Sequence, residues 1–201
     1  MSNLMYQCSA PVFVHNLKNM SALLKLAAAD AKARGIDPAV FLSARLAPDM
    51  LPLVRQVQIT ADHAKGCCAR LAGVDAPAFA DTETTFAELE DRIKRTLAFI
   101  RGLKAAQFSG SESREIVMKI PIGVLKFNGV DYLNGWALPN FYFHHSAAYN
   151  ILRHNGVPLG KMNFLGRVPG MQVSGKIAKM MAAKPAAKTR KRAEGRSKAA
   201  K

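Results

Sequence analysis

The sequence predicts an all-α four-helix bundle with a small β-hairpin before the last helix and a disordered basic C-terminal tail. Three observations carry that expectation. Four segments repeat apolar residues at the 3.6-residue period of a buried helical stripe. Between the third and fourth, the period changes and β-branched residues gather. After Gly166 the chain passes through glycines and prolines into an Ala/Lys/Arg run.

The first helix carries Phe13, Leu17, Met20, Leu24, Ala27 and Ala31 on one stripe and stops at Gly35. Pro11 fits its first turn, or a kink if the helix starts nearer Met5. Asp37-Pro38 predicts a short helix, with the aspartate as N-cap and proline in the first helical position. The second long helix is expected from about residue 49 to residue 72. Met50, Leu53, Val54, Val57, Ala61, Ala64 and Cys68 would face inward, Pro52 would lie in its first turn, and Gly73 would end it. The third places Phe86, Leu89, Ile93, Leu97 and Ile100 on one face. Asp81, Thr82 or Thr85 can cap it, the last through a Thr85–Glu88 capping box. "REIVMKIP" and "GVLKFNG", flanking Ile122-Gly123, predict the hairpin. The fourth helix should run from about residue 138 to residue 155, where Asn155-Gly156 and then Pro158 stop it. Four such helices form an up-and-down or crossover bundle, and residues 1–166 suffice for a core without staples.

The net charge of +15 over 201 residues is unevenly spread. Residues 167–201 hold eleven Lys/Arg against Glu194 alone, so the tail carries +10 and residues 1–166 carry +5. Lacking apolar residues to offset the entropy of ordering, the tail is expected to be disordered, apart from a short helix around residues 177–181. Lys184, Lys188, Arg190, Lys191, Arg192, Arg196 and Lys198 are its candidate contacts to DNA or RNA. With no aromatic stacking platform, such binding would not select sequence. No apolar run approaches bilayer-spanning length, and the N-terminus lacks a signal-peptide pattern. Three cysteines (Cys8, Cys67 and Cys68) form no disulfide framework. These features predict a cytoplasmic protein with no membrane span.

Candidate chemistry centres on the histidines. "NFYFHHSAAYNILRHNGVPLGK" holds three of the five. On a helical wheel His145 falls near the middle of the apolar face and His144 on its flank. His154 falls on the polar side of the last turn, where a cation gains from the helix dipole. His63 lies on the flank of the second helix, so His63 and His144 can approach across a groove. Bundles build metal sites from facing helices. His63, His144 and His145 are therefore the candidate ligands for a divalent ion, zinc or nickel, with His15 the other imidazole available. No His-x-x-x-His, His-x-x-Glu or Glu-x-x-His pair occurs, and hydrogen-bonded core histidines are the competing explanation. Trp136, Tyr142 and Tyr149 are candidate pocket residues with polar tips, and Asp62 joins Tyr142 and His144 at the groove. Cys67 and Cys68 sit in an apolar segment, which makes them poor nucleophiles. Gly-x-Ser-x-Gly and phosphate-binding glycine loops are absent.

Three blocks carry a family resemblance: "MYQCSAPVFVHNLKNMSALLKLAAADAKARGIDP", "ARLAPDMLPLVRQVQITADHAKG" and "LPNFYFHHSAAYNILRHNGVPLGKMNFLG". In order, they resemble an uncharacterised bacterial domain-of-unknown-function family allied to the DinB/YfiT-like four-helix bundles. The resemblance covers residues 1–166 and implies a DinB-like bundle, often a homodimer. The wider superfamily is described as metalloenzymes, with one histidine from the second helix and His-x-x-x-His on the fourth. By that pattern His63 and His144 correspond to two ligands, and the closing position holds Ala148. Three functions follow as expectations. The first is a non-catalytic small-molecule-binding or stress-related bundle. The second is a metal-dependent hydrolase or transferase, and the third a non-specific nucleic-acid-associated protein acting through its tail.

Overall fold

The computed structural model describes residues 3–182, and the chain divides into two units after Gly166. Helix α1 (Leu4–Gln7) is capped by the Asn3 side chain, and α2 (Ala10–Arg34) begins after Ser9 with Pro11 in its first turn. Phe13, Leu17, Met20, Leu24, Ala27 and Ala31 are all fully buried, as their spacing predicts. Gly35, at φ +65°, takes the left-handed cap that ends α2. Helix α3 (Pro38–Ser43) is capped by Asp37, whose carboxylate accepts from the Ala39 N–H.

Helix α4 (Leu53–Ala72) starts later than the apolar pattern suggests, with Pro52 as its extended N-cap. A proline disfavours helical conformation in the residue before it. Leu51 therefore ends the approach, and Met50 closes a turn by bonding back to the Ala47 carbonyl. In α5 (Phe86–Gly102) the capping box is formed by Thr85 and Glu88. Strands β1 (Glu115–Ile120) and β2 (Gly123–Asn128) pair antiparallel with Ile120 opposite Gly123, leaving Pro121-Ile122 as the turn. Ile116 is buried, and Met118 and Phe127 pack against the core.

A single helical run follows: α6 (Gly129–Asp131), a π-helical segment (Tyr132–Ala137) and α7 (Leu138–His154). The π segment has no signature in the apolar pattern. Helix α8 (Lys161–Leu165) ends the first unit. In the second, α9 (Gly175–Ala182) covers the short helix expected near residues 177–181. Lys184, Lys188, Arg190, Lys191, Arg192, Arg196 and Lys198 lie outside the described residues, as does most of the tail expected to be disordered. Among the described residues no helix is long and apolar enough to cross a membrane.

The connections are of the crossover kind. Arg55 meets Asp81 at 2.5 Å and Gln58 donates to Glu83 at 2.7 Å. Residues 73–85 therefore run back along α4, and α5 starts beside the start of α4 and runs parallel to it. Tyr6 packs on Phe108 and Phe41 on Phe86, which sets α2 antiparallel to α5. Arg92 fixes the returning linker. Its guanidinium is fully buried and holds Asp62 at 2.8 Å, Asp81 at 3.0 Å, Glu83 at 3.0 Å and the Ala80 carbonyl at 3.1 Å. Phe79 packs beneath Lys65 and Arg95, whose charges sit 4.1 and 4.5 Å from its ring centre.

Candidate functional site at the α4/α7 seam

Helix α4 presents Gln56, Thr60, His63, Cys67 and Arg70 along one stripe at the spacing of helical turns. Helix α7 runs antiparallel against it, since Gln56 meets His144 and Arg70 meets Tyr132, which precedes α7. The rings of His63 and His144 stack with centroids 5.8 Å apart, 15° from parallel. Both are half-buried. Phe143, exposed on the rim, packs edge-on against His144 at 5.1 Å.

The protonation of His144 is set by its neighbours. Gln56 is buried, and its amide nitrogen donates to the Leu51 carbonyl at 3.0 Å. The amide oxygen, which only accepts, then faces His144 Nδ1 at 2.7 Å. Nδ1 must carry the proton, so Nε2 keeps its lone pair. Burial lowers the pKa of His144. For His63, burial first and the neighbouring His144 second push it down to about 4, with Arg70 adding to the shift and Asp62 opposing it. At neutral pH the seam therefore holds two uncharged imidazoles.

The other predicted site residues lie elsewhere. His145 is fully buried on a different face of α7, its ring 4.5 Å from that of Phe164 in α8, so it does not join the His63–His144 pair. Tyr149 packs edge-on against the same Phe164, and Tyr142 receives a hydrogen bond from Asn16 of α2 at 3.3 Å. Trp136 packs against Phe127 of the hairpin. Trp136, Tyr142 and Tyr149 thus line no common pocket. Asp62 is turned toward α5, held by Arg92 and by Lys65 at 3.0 Å, instead of joining Tyr142 and His144. His15 bonds the Leu165 carbonyl at 2.8 Å, and His154 is exposed in the last turn of α7. Burial pushes both Cys67 and Cys68 well above the ordinary thiol range, which keeps them protonated.

A cleft of about 420 Å³ lies between α2 and α5. Its walls combine charges of both signs, among them the Lys25–Glu90 pair at 3.7 Å, with Ile93 and Leu97, and hold no histidine, cysteine or tyrosine. Perturbed, convergent polar groups are found at the α4/α7 seam instead, and these make it the candidate site.

Comparison with known proteins bears on the family and the fold. Residues 5–165 match the family described as a domain of unknown function, DUF1993. The chain belongs to that family. A solved structure of a DinB family member protein from Shewanella denitrificans is 38% identical, with a TM-score of 0.78. The match covers 86% of this chain and 97% of that one. No curated protein matches. The DUF1993 chain is therefore a DinB-like bundle, as the resemblance implies.

The three-histidine metal set that the resemblance implies does not fit these residues. Ala148 occupies the closing position and is fully buried. Among the described residues no group of three His, Cys, Asp or Glu is placed to hold a metal ion. Gln56, Arg70 and Tyr132 belong to the seam and were not singled out from the sequence. A signal exists for two of them: Gln56 and Arg70 each lie seven residues from His63, two helical turns along the same face.

His145 has a measurable consequence. Neither ring nitrogen has a hydrogen-bond partner, and burial pushes its pKa down to about 4. The folded state resists protonating this ring, whereas the unfolded chain takes the proton near pH 6.5. Its contribution to stability is therefore complete above pH 6.5, falls as pH drops toward 4, and is constant below that. The loss from this residue amounts to about 3 kcal/mol. We expect His145→Leu to be neutral to mildly stabilising at pH 7. Between pH 6.5 and 4 its stability should decline less steeply than the wild type by about one proton. Equal slopes in urea unfolding across that window would contradict the assignment.

Proposed function

We propose that the protein is a non-catalytic small-molecule-binding bundle whose ligand lies in the α4/α7 seam. The observation that carries this reading is the hydrogen-bond relay from His144 to Gln56 to Leu51. It holds one imidazole neutral, with a lone pair on Nε2, beside a second neutral imidazole. Such a pair can donate and accept hydrogen bonds without charge. With Ala148 in the closing position it lacks the third ligand that catalytic zinc sites use.

Titration with benzamide, a neutral planar probe, tests the reading. Histidine ring protons observed by NMR should shift saturably for His63 and His144 but not for His145 or His154, and His144→Gln should remove the response. A strong chelator should change neither the binding nor the melting temperature. Absence of any shift at the pair, or a chelator-sensitive response, would contradict the proposal.

A second reading rests on the +10 charge of residues 167–201. We expect weak, non-specific duplex DNA binding that falls steeply with salt, with a log–log slope near about −5 if roughly six phosphates are neutralised. Truncation after Gly166 should abolish it and leave the bundle folded. Equal affinity in the truncated chain would place the interaction on the bundle.

A further inference from the structure

One cation in the seam has no acidic partner. Arg70 ends the polar stripe of α4, and among the described residues no carboxylate pairs with it. Asp62, the acid next to His63 in α4, is committed to Arg92 and Lys65. The guanidinium of Arg70 is held instead by an uncharged group: Nη1 donates to the Tyr132 hydroxyl at 3.0 Å. Tyr132 is itself buried and sits in the π-helical segment. Such segments recur at functional sites.

The side chain lies folded back along α4. A Cβ on Gly66 would come within 2.6 Å of Arg70 Nη1, so the glycine leaves the space that the guanidinium occupies. Gly66 is three residues from His63, which is about 4.5 Å along the axis at 1.5 Å per residue. Arg70 therefore reaches to within a turn of the histidine pair. Nη1 faces Gly66 and Tyr132. Nε and Nη2 make no hydrogen bond to the described residues, and together they form the edge that accepts a carboxylate side-on through two parallel bonds. Arg70 as a whole is exposed to solvent.

We infer that the seam takes a small molecule bearing a carboxylate, with Arg70 as its charge clamp, Tyr132 as the group that positions the clamp, and His63 as the adjacent hydrogen-bonding partner. The inference rests on the ligand-binding reading of the seam and adds the ligand's charge and shape.

The test compares benzoate with benzamide, which share a ring and differ in charge, and adds inorganic phosphate as a non-planar anion. In the full chain at pH 7.5, benzoate should bind at least about tenfold more tightly than benzamide, in line with a charge-assisted bidentate contact. Arg70→Gln should bring that ratio to about one by weakening benzoate far more than benzamide. Arg70→Lys, which keeps the charge and loses the fork, should fall between. If Arg70→Gln does not fold, Tyr132→Phe serves: it leaves the charge and frees the clamp, and the ratio should shrink. Benzamide binding with no preference for benzoate would overturn the carboxylate inference and leave the seam reading intact. A preference that survives Arg70→Gln, or phosphate binding more tightly than benzoate, would overturn it as well. If neither aromatic probe binds, both readings fall together.

Discussion

Replacing Arg92 with methionine is expected to destabilise the bundle by about 3–5 kcal/mol, the cost of removing one partner from a buried ion pair. At this domain size that is a fall in melting temperature of roughly 10 °C or more. Arg92 is fully buried and Glu83 nearly so, with Asp62 and Asp81 completing the cluster. Methionine fills the volume but strands the Glu83 carboxylate. Burial would raise that carboxyl, yet the hydrogen bonds from Arg92 and Gln58 hold it below the usual range; Asp81 is likewise lowered by Arg55 and Arg92 against the effect of its burial. Both acids are therefore more easily ionised in the folded state than in the unfolded chain. Their stabilisation is present above the unfolded carboxylate range, near pH 4, and is lost as pH falls through their folded values. The double variant Arg92→Met/Glu83→Gln should recover much of the loss, because no buried charge is then left unpaired. Equal melting temperatures for the single variant and the wild type would show that the cluster does not hold the crossover linker.

The largest gain is expected from Ala148→His. An i, i+4 pair with His144 would complete the His-x-x-x-His pattern opposite His63. Loss of an outer-shell partner alone costs about 10–100-fold in metal affinity, so a restored ligand should raise zinc affinity by at least about 100-fold. Ala148 is fully buried, so circular dichroism must first show that the variant folds. In the folded variant His144→Gln should cancel the gain, and His145→Leu should leave it, because His145 faces Phe164 and not the seam. No gain in a folded variant would mean that position 148 does not face the imidazole pair.

Much of the fold was legible because helical stripes leave a periodic trace. Phe13 to Ala31 on α2 and Phe86 to Ile100 on α5 are buried where their spacing requires. The Thr85–Glu88 box and the Asp37 cap sit where local hydrogen-bonding rules place them. The crossover topology was not decided by that trace. A linker of the length of residues 73–85 can lead to a parallel or an antiparallel neighbour. The choice is made by Arg55 on Asp81, Gln58 on Glu83 and the buried Arg92, contacts between residues far apart in sequence. The start of α4 was misplaced because Met50 fits the stripe, while Pro52 stands outside the helix as its extended N-cap.

The candidate site was half legible. The wheel places His145 in the core and His144 on the flank, and His63 and His144 do meet across the seam. The tautomer of His144 depends on Gln56 and a backbone carbonyl, which no spacing reveals. The grouping of Trp136, Tyr142 and Tyr149 failed for a geometric reason. Trp136 lies in the π segment and packs on Phe127 of the hairpin, while the two tyrosines face α2 and α8.

The state of the His144 ring is the most direct test of the account. Nitrogen NMR of the histidine-labelled chain at neutral pH should show His144 uncharged, with the proton on Nδ1 and a bare lone pair on Nε2. Gln56→Leu should release that preference. A proton on Nε2, or a doubly protonated ring at pH 7, would contradict the relay on which the ligand seam is built.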